Sequence, residues 1–404
     1  MKLHRIGFVL FFLLSFTIGI RSQTPFKDFE IVESIPVETT LDNPEIRNTP
    51  EVWAEMFAAA QKSIDIEQFY ISDAPGEPLE AIIQLIEKAA QRGVLVRIIA
   101  DARMAKTYPE ILERLAKQKN ISVCRIQVFN KNGGIQHAKY FVIDRREVFI
   151  GSQNFDWRAL KHIHEIGLCI RQPEYARLMT ELFEMDWEYA AQNKIPGRKL
   201  TEPIRFELPI APQDTVKFIA CGSPARNLPN GMASDEKIIS ELIRSARQEI
   251  CIQLLSYSPL DKKTKYWAKI DDALRKASAS GVVVNLLVSD WSIGADKLPY
   301  LQSLDILPNI NVKLSTIPEF SGGYIPFARV EHCKYMVVDS SLSWIGTSNW
   351  SRNYFYNSRN LGLGIENATV ARTLKTIFLK SWNSSYAWQP VPGQEYPEKF
   401  RGEQ

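Results

Sequence analysis

The chain lacks several features that would place it in a simple class, and each absence excludes something. Its five cysteines, Cys124, Cys169, Cys221, Cys251 and Cys333, are too few and too scattered to build a disulfide-framed fold. They form no C-x-x-C pair and no Cys/His spacing suited to zinc. They read as buried apolar residues, with one or two disulfides as the alternative in an oxidising compartment. Long hydrophobic runs are missing beyond the leader, where Phe8–Ile20 is short for a membrane span. Preceded by Lys2 and Arg5, this run reads as a secretory signal over residues 1–22, cleaved after Ser22, or else as an uncleaved signal anchor. Either places the body of the chain in an extracytoplasmic space. An excess of one charge is missing too. Without Lys2, Arg5 and Arg21 the 49 Lys+Arg of the +3 chain become 46, which equals the 46 Asp+Glu. Bulk electrostatic capture of nucleic acid or an anionic membrane is therefore not supported, and any anion must be bound locally.

What the chain does have is one chemical pattern written twice. His137-Ala-Lys139, Asp144 and Gly151-Ser152-Gln153-Asn154 recur as His332-Cys-Lys334, Asp339 and Gly346-Thr347-Ser348-Asn349, each landmark displaced by 195 residues. Six fixed positions arise by chance in roughly one chain in 100,000 at average residue usage, and repetition multiplies the improbability. The repeat extends outward from the motif. Helical patterns Glu51–Ser63 and Glu236–Arg247 lead into the apolar runs Ile64–Ile71 and Ile250–Tyr257. Leu79–Arg92, closed by Gly93, leads into Val94–Ala100, and Tyr266–Ser280, closed by Gly281, leads into Val282–Val288. Strands alternating with helices predict an α/β fold: two tandem, pseudo-symmetric α/β/α sandwiches with mixed sheets covered on both faces. The expected domains are 23–195 and 214–390, joined by a linker at 196–213 and followed by a tail at 391–404. Residues 23–50 read as an irregular flank. Sequons at Asn120, Asn367 and Asn383 would accept glycans in a eukaryotic secretory route.

Residues two apart on a strand share a face, so His137 projects with Lys139 and His332 with Lys334. Asn154 and Asn349 follow a glycine that permits close backbone approach. A phosphodiester needs a nucleophile, a proton for the leaving oxygen and positive donors around the non-bridging oxygens. Two His, two Lys and two Asn supply that set with no metal or cofactor. One imidazole would attack phosphorus while the other protonates the leaving alcohol. Asp144 and Asp339 either touch substrate or order a hairpin turn. Cys333, between His332 and Lys334, faces the core. Glu165 and Asn360 each lie 28 residues beyond their motif histidine and can hydrogen-bond the back nitrogen of an imidazole. A carboxylate behind one imidazole and an amide behind the other would separate their proton affinities. That mismatch alone does not assign the roles, although His137 is preferred as nucleophile. Phe155, Trp157, Trp350, Tyr354 and Phe355 offer stacking faces or core packing. Arg158 and Arg352 read as surface ion pairs or phosphate contacts.

The paired motifs resemble the two signatures of the phospholipase D superfamily along nearly the whole chain. Longer strings are similar to its branch containing phospholipases D three and four: Gly134-Ile-Gln-His-Ala-Lys-Tyr-Phe-Val-Ile-Asp144, Asn154-Phe-Asp-Trp-Arg158, Ile325-Pro-Phe-Ala-Arg-Val-Glu-His332 and Ile345-Gly-Thr-Ser-Asn-Trp-Ser351. That resemblance implies a lumenal, metal-independent 5′ exonuclease on single-stranded DNA or RNA, with both motifs sharing one cleft. Two departures stand out, since the branch usually carries a membrane anchor and a cysteine framework not recognised here. The competing reading is a phospholipase D or phosphatidyltransferase acting on membrane phospholipid, and a third is a non-catalytic binding protein. Because the duplication completes a site within one chain, no obligate protein partner is expected, and a monomer suffices with a homodimer compatible.

Overall fold

The computed structural model describes residues 27–194, 201–261 and 265–402. The expected leader at 1–22 lies outside them. The repeat appears as two mixed sheets with one strand order. Across the first run Arg47–Asn48, Phe29–Ser34, Glu165–Arg171, Glu147–Gly151, Tyr140–Ile143, Ser63–Gln68, Leu95–Asp101 and Ile121–Ile126. Across the second run Ala233–Ser234, Asp214–Ser223, Asn360–Glu366, Leu342–Gly346, Tyr335–Val338, Glu249–Leu254, Val283–Ser289 and Ile310–Ser315. In each sheet the three strands beyond the motif strands are parallel, as helical crossovers require, while the motif strands pair antiparallel, and in the second sheet Ala387–Trp388 adds an antiparallel edge to Ile310–Ser315.

Local chemistry explains the elements. Helix Pro78–Gln91 starts on a proline and buries Leu79, Ile82, Ile83, Ile86, Ala89 and Ala90, one stripe at helical spacing. It stops where Gly93 adopts φ 101° and Gly93 and Val94 donate back to the Ala90 and Ala89 carbonyls. Its counterpart Lys269–Ala279 ends the same way at Gly281, φ 89°.

Two segments expected to be irregular are strands. Phe29–Ser34, inside the supposed flank 23–50, is buried along its whole length, including Glu30 and Glu33. Burial on both faces removes the alternation that would have marked it. Arg205–Ala211, inside the expected linker, pairs with the strand Asp214–Ser223, and its Pro209 sits where the register shifts. Residues 389–402 contain no regular element and lie against the second half, where Lys399 pairs with Asp290 at 3.1 Å and Tyr396 packs on its core.

Each half keeps a core of its own, one around Trp53 and Phe141 and the other around Trp344 and Trp350, and the two halves share a third. Helices Pro173–Gln192 and Ala368–Trp382 contribute Tyr175, Leu182, Phe183, Leu374 and Phe378 to one continuous cluster with Phe29 and Leu168 of the first sheet and Phe218 and Leu363 of the second. Phe218 crosses the boundary, its ring 5.6 Å from Phe29 and 5.3 Å from Tyr175. Burying one such ring contributes about 1.5–3 kcal/mol, so the shared layer binds the halves firmly. Arg359 adds a buried pair across it, donating to both oxygens of Asp186 at 2.7 Å.

The five cysteines are all free, and four are buried. Of the sequons, Asn367 is buried as the cap of helix Ala368–Trp382, Asn120 donates to the Ala90 carbonyl, and Asn383 is exposed. Expression in a glycosylating secretory host should therefore place a glycan at Asn383 and none at Asn367. An Asn383→Gln variant that keeps its full glycan mass by intact-protein mass spectrometry contradicts this.

Asp144 and Asp339 take the structural one of their two expected roles. Each is the first residue of a hairpin turn, with φ 53° and 57° at Asp144 and Arg145, and 50° and 51° at Asp339 and Ser340. Their carboxylates accept from three successive backbone amides of the neighbouring strand entry: Gln61, Lys62 and Ser63 for Asp144, and Arg247, Gln248 and Glu249 for Asp339. Each lies five positions beyond its motif lysine, across a four-residue strand, about 17 Å of extended chain, so contact with a phosphate bound there is excluded. Replacing Asp144 with Ala should lower stability by about 1–2 kcal/mol, measured by urea unfolding, while leaving kcat of the folded enzyme within a few-fold of wild type.

Candidate active site

Backbone pairing brings the two motifs together before any side chain does so. The chain entering the first motif bridges to the second half through Gln136 and Arg359, where His137 N–H donates to the Arg359 carbonyl at 2.9 Å. The chain entering the second motif bridges back through Glu331 and His164, where His332 N–H donates to the His164 carbonyl at 2.9 Å. Both pairs differ by 195 residues, so these are one contact repeated about a pseudo-twofold axis. Close approach of the next strands relies on glycine: Gly151 faces Gly167 and Gly346 faces Gly362. A Cβ on Gly151 would lie 2.7 Å from the Gly167 Cα, and one on Gly346 would lie 2.6 Å from the Leu361 carbonyl.

The back nitrogens are tied crosswise. His137 Nδ1 lies 2.9 Å from Asn360 Oδ1, and His332 Nδ1 lies 2.7 Å from Glu165 Oε2. Each imidazole is thus oriented by the half to which it does not belong. The Asn360 amide is fixed because its Nδ2 donates to the Tyr354 carbonyl at 2.9 Å and to Ser223 Oγ at 3.3 Å. Its Oδ1 must accept, so Nδ1 of His137 carries the proton and Nε2 keeps its lone pair. Ser152 and Thr347, unremarked within the motif, brace these partners: Thr347 Oγ1 donates to Asn360 Oδ1 at 3.1 Å, and Ser152 Oγ accepts from the Ile166 amide at 2.9 Å.

The lysines lie on the same face as their histidines, as the two-residue spacing requires. Lys139 Nζ donates to the His137 carbonyl and Lys334 Nζ to the His332 carbonyl, each at 2.7 Å, and both lysines are fully buried. Ala138 and Cys333 between them face the core. Asn154 and Asn349 are buried as well, and their Oδ1 atoms have no partner among the described residues. Structural polar atoms are seldom left so.

Electrostatics follow from this crowding. Burial pushes both histidines well below their usual range, and the charges of Lys139 and Lys334 push them further. Burial and the neighbouring Lys334 hold Lys139 well below the usual lysine range. Lys334 is pushed down to about 8, again chiefly by burial, with Glu165 opposing. Burial drives the Glu165 carboxyl upward, against the pull of Lys334. The Glu165–His332 pair therefore holds one titratable proton between its members.

The flanking residues divide among their expected roles. Phe155, Trp350 and Phe355 take the packing role, in the core. Trp157 packs its ring against His162, and Arg158 is in an ion pair, a forked one with Asp156 that is buried rather than at the surface. Arg352 pairs with Asp261 at 3.4 Å. Tyr354 alone of the five aromatics stands beside a motif histidine, its ring 4.9 Å from that of His137. Phe69, which no motif flagged, lies 5.2 Å away on the same imidazole. His164, Glu331 and Cys333 have donor atoms within 4.8 Å, close enough for a metal, but His164 Nδ1 and Glu331 Oε2 already satisfy each other at 2.8 Å.

Paired imidazoles and ammonium groups, contributed equally by duplicated α/β halves, define a phosphoryl-transfer enzyme. A family model described as "Cardiolipin synthase, PLD-like domain" matches residues 54–187 and 239–382, and the chain belongs to this phospholipase D family. It is a phosphodiesterase of that family. It is 28% identical to a probable phospholipase D of Caenorhabditis elegans over 394 residues, 88% of this chain and 70% of that protein. Identity to the 5'-3' exonuclease PLD4 of Mus musculus is 28% over 408 residues, 90% and 80% of the two chains. Against the virion nicking-joining enzyme of Vaccinia virus it is 29% over 385 residues, 89% and 88%. The fold is similar to phosphatidylserine synthase of Haemophilus influenzae, TM-score 0.58 at 14% identity, covering 84% of this chain and 85% of that one.

Since Lys334 is held near 8, the free enzyme should lose phosphate affinity as pH rises through that value. The expected kcat/KM falls about tenfold per pH unit above roughly pH 8, and Lys334→Arg, charged throughout, should abolish that limb while lowering the plateau. A flat wild-type profile to pH 10 contradicts the assignment.

Proposed function

We propose that this chain is a metal-independent phosphodiesterase working through a phosphohistidine, acting as a 5′ exonuclease on single-stranded DNA or RNA in an extracytoplasmic compartment. The crosswise tie of each Nδ1 to the opposite half carries the mechanism, because it leaves both Nε2 atoms available to one cleft. His137, neutral and holding its Nε2 lone pair against the amide of Asn360, is the nucleophile. It forms a nitrogen–phosphorus bond as the phosphorus–oxygen bond to the leaving nucleoside breaks. His332, sharing one proton with Glu165, delivers that proton to the departing oxygen. It then takes a proton from water, which attacks phosphorus and breaks the nitrogen–phosphorus bond. Lys139 and Lys334 hold the non-bridging oxygens, and the Nδ2 donors of Asn154 and Asn349 complete the cradle.

Half-buried aromatics at His137 support a nucleic-acid substrate, and so do relatives whose names record exonuclease and nicking-joining activity. Among the described residues no helix is long and apolar enough to cross a membrane. The lipid reading remains an outcome of the same test. Wild type should shorten 5′-hydroxyl oligonucleotides in excess EDTA, and His137→Ala should remove the activity. His332→Ala should lower kcat by about 10²–10⁴ on an alkyl leaving group but far less on p-nitrophenolate, which needs no proton. Head-group release from phospholipid vesicles with intact oligonucleotides overturns the nuclease reading. Equal losses for both variants on p-nitrophenolate overturn the division of roles.

A further inference from the structure

The pseudo-twofold axis supplies an internal control for substrate orientation, since any feature of the cleft present in only one half breaks its symmetry. The catalytic groups are repeated but their surroundings are not. On the His137 side, Phe69 and Tyr354 flank the imidazole with centroids at 5.2 Å and 4.9 Å and ring planes tilted by 65° and 75°. Lys139 Nζ lies 5.3 Å from the Phe69 centroid. Both residues are half-buried rather than packed wholly into the core. The aromatic surface continues outward through Tyr70 to Tyr108, stacked at 5.0 Å and 24° and likewise half-buried.

The equivalent positions in the other half can be read from the repeat. Ser63 and Glu249 occupy matching places beside the turn aspartates, and Ile71 and Tyr257 pair with the matching Phe155 and Trp350. Phe69 therefore corresponds to Leu255 and Tyr70 to Ser256. Tyr354 lies 195 residues beyond Ala159, within the stretch where the repeat has no insertion. Leu255 and Ala159 are buried, and Leu255 joins Ile163, Ala328 and Val330 in a small aliphatic cluster. At these two matched positions the His332 side thus has aliphatic groups where the His137 side has half-buried rings, although Trp291 packs against the Leu255 cluster.

We propose that Phe69 and Tyr354 form a base-stacking wall that receives the nucleoside on the His137 side of the scissile phosphate and, together with the unequal histidine partners, fixes which way a strand enters the cleft. This rests on the nuclease reading. An aromatic ring offers any base a π-face, so the wall gives orientation without sequence preference.

The test compares two 5′-hydroxyl oligonucleotides that differ only in whether the nucleoside 5′ to the scissile bond carries a base or is abasic. Wild type should favour the base-bearing substrate in kcat/KM by roughly tenfold or more, the range that single base–aromatic stacks give. Phe69→Leu with Tyr354→Ala, which copies the other half, should reduce that ratio to within about twofold of unity. Phe69→Tyr, which keeps a ring, should retain the wild-type ratio and guards against a folding defect in the double variant. An equal fall on both substrates, or a ratio unchanged by the double variant, overturns the wall. Wild type cleaving both substrates equally well does so too. Failure of wild type to cut either oligonucleotide overturns the nuclease reading instead, and is told apart by that absence of cleavage.

Discussion

Each motif histidine is held by the half of the chain it does not belong to, and the rest of the molecule serves that reciprocity. The Asn360 and Glu165 side chains reach across the pseudo-twofold axis to His137 and His332, so neither half can orient its own imidazole. For those contacts to persist, the two sheets must keep a fixed relation to within a few tenths of an ångström. Hydrogen bonds weaken steeply with distance and angle, and a hinge between independent domains would not hold them. This accounts for the shared apolar layer, into which helices from both halves pack, and for the Arg359–Asp186 pair beside Asn360. Breaking a buried pair of that kind by removing one partner costs about 3–5 kcal/mol, so the segment presenting Asn360 is fixed strongly.

The same crowding sets the chemistry. Four basic side chains buried together repel one another and lose hydration, which disfavours their charged forms. An arriving phosphodiester supplies the missing negative charge, so part of the free enzyme's electrostatic stress is relieved on binding and more as charge develops at phosphorus. Glu165 behind one imidazole and Asn360 behind the other distribute the protons unequally. A duplicated gene product has equal halves by origin, and here a single side-chain difference gives the two histidines chemically different partners.

Much of this was legible in the sequence because it depends on local periodicity. The two-residue spacing of His and Lys on a strand, the Gly93 and Gly281 helix stops, and the constant displacement of 195 residues each follow from chain geometry alone. Other features were hidden for physical reasons. The strand Phe29–Ser34 is buried on both faces, including Glu30 and Glu33, so it carries no alternation to read. The motif aspartates look catalytic by association, yet the carboxylates bind backbone amides, and backbone donors leave no mark in a sequence. Phe69 belongs to no motif at all, and only the approach of its strand end to His137 gives it meaning.

The sequence by itself determined the duplicated α/β architecture, the residue types available for phosphoryl transfer and the inequality of Glu165 and Asn360. These are properties of composition and spacing within each half, where side-chain periodicity ties position to face. Tertiary structure alone decided that the inequality acts crosswise, with the carboxylate of the first half behind the histidine of the second. It also decided that Phe69 and Tyr354 flank the same imidazole. Both are relations between residues up to 285 positions apart, such as Phe69 and Tyr354, and no local pattern records which distant groups a packed core will bring into contact.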